Sequence, residues 1–185
     1  MRKTIPLISL AGMLAIAACQ GNNTTATENT ASADANGMVP VDNMAAPGGT
    51  VDTAFVTDAI KGDNSEVALG KLASTKASSQ AAKAFGAMLV TDHGAHKTKL
   101  AALAAAAGSE VTDDPSEEGK ANLDKLGKLS GAEFDKAFKT AMIEDHTKDI
   151  AKYEKQASSG DAQTAALAKE TLPTLRKHLE AANAL

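Results

Sequence analysis

From Thr50 onward the hydrophobic positions recur at three- and four-residue steps, the spacing of a helix face rather than the alternation of a strand. The predicted helices cover 51–76 (bent near Gly62), 79–107, 115–128, 131–157 and 161–183. In the second helix Phe85, Leu89, His96, Leu100, Leu103 and Ala107 fall within one narrow arc. In the last, Ala168, Leu172, Leu175, Leu179 and Ala182 do the same. Start signals punctuate the pattern. Asp63-Asn64-Ser65-Glu66 and Ser130-Gly131-Ala132-Glu133 read as capping boxes, and Asp114-Pro115-Ser116-Glu117 puts proline at a first helical position. Ser158-Ser159-Gly160-Asp161 ends one helix and caps the next. Pro173 should kink or split the last helix near Leu172.

Four long helices and one short one make an all-α, ferritin-like four-helix bundle with an extra short crossover helix. That helix, about 14 residues long, spans roughly 20 Å and can carry the chain from one end of the bundle to the other. The second and fourth helices then run parallel.

The chain ahead of the bundle is different in kind. Residues 20–49 are rich in Asn, Thr, Ala, Ser, Gly and Asp, cannot bury enough apolar surface to order themselves, and read as a disordered tether reaching roughly 30 Å. Before it, Arg2 and Lys3 precede an apolar run from Ile5 to Ala18, too short for a membrane-spanning helix but suited to a secretory signal. The run ends Ile16-Ala17-Ala18-Cys19, which resembles a bacterial lipobox. The plain alternative is an ordinary cleaved signal followed by a chance cysteine. The expected organisation is therefore a signal peptide over 1–18, a lipidated Cys19 with its tether over 19–50, and a helical domain over 51–185. Gln20, in place of Asp, favours the outer over the inner membrane for a periplasm-facing, lipid-anchored envelope protein.

Composition narrows the functions. Cys19 is the only cysteine, so no intrachain disulfide forms. Two of the 19 Lys and Arg residues lie in the leader, which leaves 17 against 23 acidic residues, a net charge of about −6. With no basic patch, no Trp and one Tyr, nucleic acid is not an expected partner. The membrane, through Cys19, is the expected one, and the sequence names no protein partner.

One phrase occurs twice. KAFGAMLVTDHGAHKTKL begins at Lys83 and KAFKTAMIEDHTKDIAKY at Lys136, so that Phe85 matches Phe138, Asp92 matches Asp145 and His93 matches His146, while His96 matches Asp149. This reads as a duplicated helical hairpin. At about 100° per residue, Asp92 and His96 share the apolar stripe of their helix, as do Asp145 and Asp149. His93 and His146 fall at the stripe's edge, as do Glu66 and His178 on the first and last helices. One edge residue from each bundle helix, Glu66, His93, His146 and His178, could then converge on a divalent transition metal such as zinc, copper or iron. Asp92 and Asp145 would be further ligands or acceptors for the imidazole N–H. The alternative is a structural or partner-binding module in which the Asp-His pairs are internal hydrogen bonds and no metal binds. A metal-dependent redox enzyme is a third reading. The chain has no Glu-x-x-His, which argues against di-iron oxidase chemistry, and no nucleophile motif stands out, so the reading leans away from catalysis.

Four segments together resemble the bacterial envelope family known as domain of unknown function 4142: Glu66 to Ala73, Phe85 to His93, Leu129 to His146, and Leu172 to Leu179. The resemblance covers about 53–182. It implies a ferritin-like bundle, often behind a signal or lipobox, and no established activity. It also implies a shared role for Glu66, His93, His146 and His178, with His96 outside the pattern.

Overall fold

Helix α1 (Thr53–Lys76) starts where Asp52 leaves the extended region and its Oδ1 accepts a hydrogen bond from the Phe55 N–H at 2.9 Å. The computed structural model describes residues 49–185. The expected signal peptide, Cys19 and the tether as far as residue 48 lie outside the described residues. Gly49 and Thr50 already touch the bundle: the Gln163 side chain donates to the Gly49 carbonyl at 2.8 Å.

The remaining elements are α2 (Gln80–Ala106), α3 (Glu117–Gly127), α4 (Gly131–Ala157) and α5 (Ala162–Ala184). All five expected helices form, with boundaries within two residues of those expected. The capping box at Asp63 is overturned, because α1 runs through it without a break. Phe55, Val56, Ala59 and Ile60 before it, and Leu69 and Ala73 after it, are buried on one continuous stripe, so packing carries the helix across. The side chains read as a cap have other partners. Asn64 Nδ2 donates to the Thr112 and Asp114 carbonyls at 2.9 and 3.0 Å, and Ser65 Oγ accepts from the Ser116 N–H at 3.0 Å. These bonds pin the crossover loop to α1. Helix α3 then begins two residues later than Pro115, because Ser116 takes the N-cap and accepts from the Gly119 N–H at 2.9 Å. Ser130 and Asp161 stand at the N-caps of α4 and α5 without a side-chain cap bond. Pro173 does not split α5. It and Lys169, whose carbonyl loses the fourth-neighbour N–H, are both exposed, so that acceptor is lost on the solvent side of the helix and not in the core.

Helices α1 and α2 form one antiparallel hairpin and α4 and α5 another. They pack into a four-helix bundle, and α3 crosses along it against α1. Helices α2 and α4 run parallel and in register: the Phe85 and Phe138 rings lie 5.9 Å apart, and two turns on His93 and His146 lie 5.7 Å apart. The single long crossover is the ferritin-like connectivity. At Gly70 and Gly86 the α1 and α2 backbones nearly touch: a Cβ on Gly86 would meet the Gly70 carbonyl oxygen and the Ala73 methyl, each at 2.8 Å. No described helix is long and apolar enough to cross a membrane.

The apolar core is in two parts. Toward one end Phe55, Ile60, Leu100, Tyr153, Leu167 and Leu172 pack together; toward the other, Leu69, Phe85, Leu89, Phe134, Phe138 and Met142 do. Between them lies a slab of ionisable side chains.

Candidate metal centre

Four elements supply that slab. Helix α1 contributes Asp63 and Glu66, α2 His93 and His96, α4 His146, and α5 His178. Glu66, His146 and His178 are at most 1% exposed and His93 is 5%. These residues lie on the buried stripes of their helices, not at the edges. Phe85, Leu89 and His93 follow one another at four-residue steps, as do Phe134, Phe138, Met142 and His146. The shared face assigned to Asp92 is corrected accordingly. With His93 central, Asp92 falls at the flank and is half-buried, as are Asp145 and Asp149.

The hydrogen bonds fix the tautomers. Asp63 accepts from both α2 imidazoles: from His93 Nδ1–H at 2.8 Å and from His96 Nδ1–H at 2.9 Å. The His146 Nδ1–H donates to the Met142 carbonyl at 2.9 Å, and the His178 Nε2–H donates to Asp92 Oδ2 at 2.9 Å. Each partner is a carboxylate or carbonyl and can only accept, so each of these ring nitrogens carries the proton. The second nitrogen of every neutral ring is then a lone pair. Adjacent Asp and His in the repeat do not bond each other; Asp92 of α2 holds His178 of α5, and His93 is held by Asp63 of α1.

These lone pairs converge. Ligand atoms of His93, His146 and His178 all lie within 4.8 Å of one another, a grouping that no other described residues make. His146 Nε2 and His178 Nδ1 face each other at 3.3 Å, and His93 Nε2 is buried with no partner. Two lone pairs in contact repel unless a proton or a cation lies between them. A proton is disfavoured. Burial, and then the neighbouring His93 and His178, hold the His146 imidazole down to about 4 from its usual 6.5. Burial also lowers His178, against the opposing pull of Asp92. Burial works against the ionised form of Asp63 too, but the bonds from His93 and His96 outweigh it and leave its carboxyl below the usual range.

Glu66 stands apart from the three imidazoles. Its Oε1 lies 3.9 Å from His146 Nδ1, the nitrogen already committed to Met142, and neither carboxyl oxygen has a hydrogen-bond partner. Burial, with the Asp145 carboxyl beside it, pushes Glu66 well above the ordinary range. Next to the site, these surroundings favour the protonated form of Glu66. Asp145 flanks it from α4 and lines the groove between α1, α3 and α4. Asp63 is the participant that sequence reasoning missed, and the half-buried His96, set outside the pattern there, shares its carboxylate with His93. The signal was present: Asp63 lies one turn beyond Ile60 on a stripe that reading it as a cap interrupted.

Three converging imidazole rings on three helices are a donor set for a transition metal. For zinc–nitrogen bonds of about 2.0–2.1 Å in tetrahedral geometry, ligand nitrogens stand about 3.3–3.4 Å apart. The His146–His178 separation of 3.3 Å already has that value. Asp63 and Asp92, behind His93 and His178, supply the two negative charges that would balance a divalent ion. No curated protein and no solved structure matches the chain. Residues 38–185 match the model of the family described as a domain of unknown function (DUF4142), and the chain belongs to that family.

Proposed function

We propose that the bundle binds one divalent transition metal ion through His93 Nε2, His146 Nε2 and His178 Nδ1, and holds it for buffering or sensing rather than turnover. The observation that carries this reading is the convergence in a buried layer of three imidazole rings whose other nitrogens are engaged elsewhere, with His146 Nε2 and His178 Nδ1 at 3.3 Å. A purely structural hydrogen-bond network would need a donor at that point, and all the imidazole N–H groups are engaged elsewhere. Zinc fits best among zinc, copper and iron: there is no thiolate to select copper(I), no tetragonal arrangement for copper(II), and no carboxylate pair bridging two irons. Holding rather than catalysis follows from enclosure. Apolar layers lie on both sides, and the Phe85 ring stands 6.3 Å from both His146 and His178. In this reading the bundle works at the cell envelope, tethered through a lipid on Cys19.

Elemental analysis by mass spectrometry tests this on the full chain, purified without a histidine tag or chelator. About one ion per chain is expected, lost in the His93→Ala/His146→Ala double variant. If the parent protein stays metal-free after incubation with zinc, copper and iron, the reading is wrong. Membrane fractionation of the Cys19→Ala variant tests the anchor: release into the soluble fraction is expected.

A further inference from the structure

Two grooves approach the polar slab from outside, on opposite sides of the bundle. The one between α1, α3 and α4 carries Asp145 and Asp149. Behind its Asp145 wall stands Glu66, which faces the spent nitrogen of His146, so the groove approaches the wrong side of the ring. The second groove lies between α2 and α5, with a volume of about 320 Å³, and its lining includes Asp92, His96, Lys99, Glu170, Thr174 and Lys177. A Lys99–Glu170 ion pair joins the two helices at this groove. This groove ends on the residues that orient the donors. Asp92 is a third exposed and holds His178; His96 hangs on the same Asp63 carboxylate as His93.

His96 has no role so far. Its side chain is 10% exposed, its Nδ1 is bonded to Asp63, and its Nε2 is buried without a partner. Leaving such a nitrogen unpaired costs free energy that a ligand there would recover. It lies one turn along α2 from His93, at the wall of the groove. A metal ion stripped of water cannot cross a protein wall without a donor at each step, and Asp92 followed by His96 Nε2 supplies a first oxygen and a first nitrogen on the way in.

We propose that the groove between α2 and α5 is the port through which the ion enters and leaves, and that His96 is a relay ligand that takes the ion before His93 and His178 do. The inference rests on the three-histidine reading above. A relay ligand lowers the barrier in both directions. Its loss therefore slows binding and release together and leaves the equilibrium constant nearly unchanged, whereas loss of a resident ligand weakens binding.

Cobalt(II) serves as the probe, because its visible absorption reports nitrogen coordination directly. Stopped-flow mixing of the full chain with cobalt(II) gives the binding rate, and mixing of the loaded chain with excess chelator gives the release rate. For His96→Gln, which keeps a donor to Asp63, both rates are expected to fall by about tenfold or more, with affinity within about twofold of the parent. Thr174→Phe, which fills the groove and touches no ligand, is expected to slow both rates as well. Unchanged rates in the two variants would overturn the port while leaving the metal site standing. A large loss of affinity in His96→Gln would make His96 a resident ligand and overturn the relay. Absence of any cobalt(II) spectrum in the parent would remove both the relay and the site it serves.

Discussion

Glu66 puts an acid where an apolar side chain would pack, and its effect on stability has the opposite sign to that of His146. Burial raises the folded pKa of Glu66 above its ordinary 4.5, so the folded chain keeps a proton that the unfolded chain releases. Stability from this group is present below pH 4.5 and falls as the pH rises. His146 is held down to about 4 from 6.5. The unfolded chain takes up the proton that the folded chain refuses, so stability is full above pH 6.5 and is lost as the pH falls to about 4, on the order of 3 kcal/mol. His178, also lowered, acts in the same direction, and Asp63, held low by its imidazole partners, adds its loss at still lower pH. Thermal melts of the metal-free chain between pH 4 and pH 8 should show these opposed slopes. Glu66→Gln is neutral throughout, so it should melt above the parent near pH 8, by about 1–3 kcal/mol, and converge with it near pH 4. A parent profile that rises steadily to pH 8, with Glu66→Gln no more stable there, would contradict the assignment.

At the scale of the helices, the close approach at Gly70 and Gly86 sets how deeply α1 reaches into α2, and so whether Asp63 can hold His93 and His96. Gly86→Ala should force the two backbones apart, destabilise the bundle by about 1–3 kcal/mol and weaken metal binding, although residue 86 touches no ligand. Calorimetric unfolding alongside zinc titration checks this; unchanged values for both would show that the hairpin yields without strain. Helix positions were legible in the sequence because each stripe is long and regular. The parallel run of α2 and α4 was legible because a short helix long enough to span the bundle separates the two hairpins. The centre of each stripe was harder to place. Histidine and aspartate count as polar in a hydrophobic pattern, so His93 was set at the edge and Asp63 at a helix start, although four-residue steps from Phe85 and from Phe134 lead straight to His93 and His146. The choice of partner across helices, Asp92 with His178 and not with its neighbour His93, depends on how the helices face one another, which no local pattern encodes.

At the scale of the whole molecule, the donors are divided between the two hairpins. The first gives His93, oriented by Asp63; the second gives His146 and His178. The only covalent link between the hairpins is the segment from Ala107 to Ser130, which contains α3, and within it Val111 is the one large exposed hydrophobic residue among those described. A protease cut near Val111 should leave a zinc-loaded protein migrating as one species, and removal of zinc should let the pieces separate. Size-exclusion chromatography of the nicked protein reads this; pieces that stay together after chelation would show that the apolar layers alone suffice. The divided donor set also changes the molecularity of assembly. Without the crossover, forming the site is a meeting of three bodies, two peptides and an ion. With it, one body folds and one ion arrives, and the linker's length, through the local concentration it imposes on the second hairpin, becomes a term in the affinity for the metal.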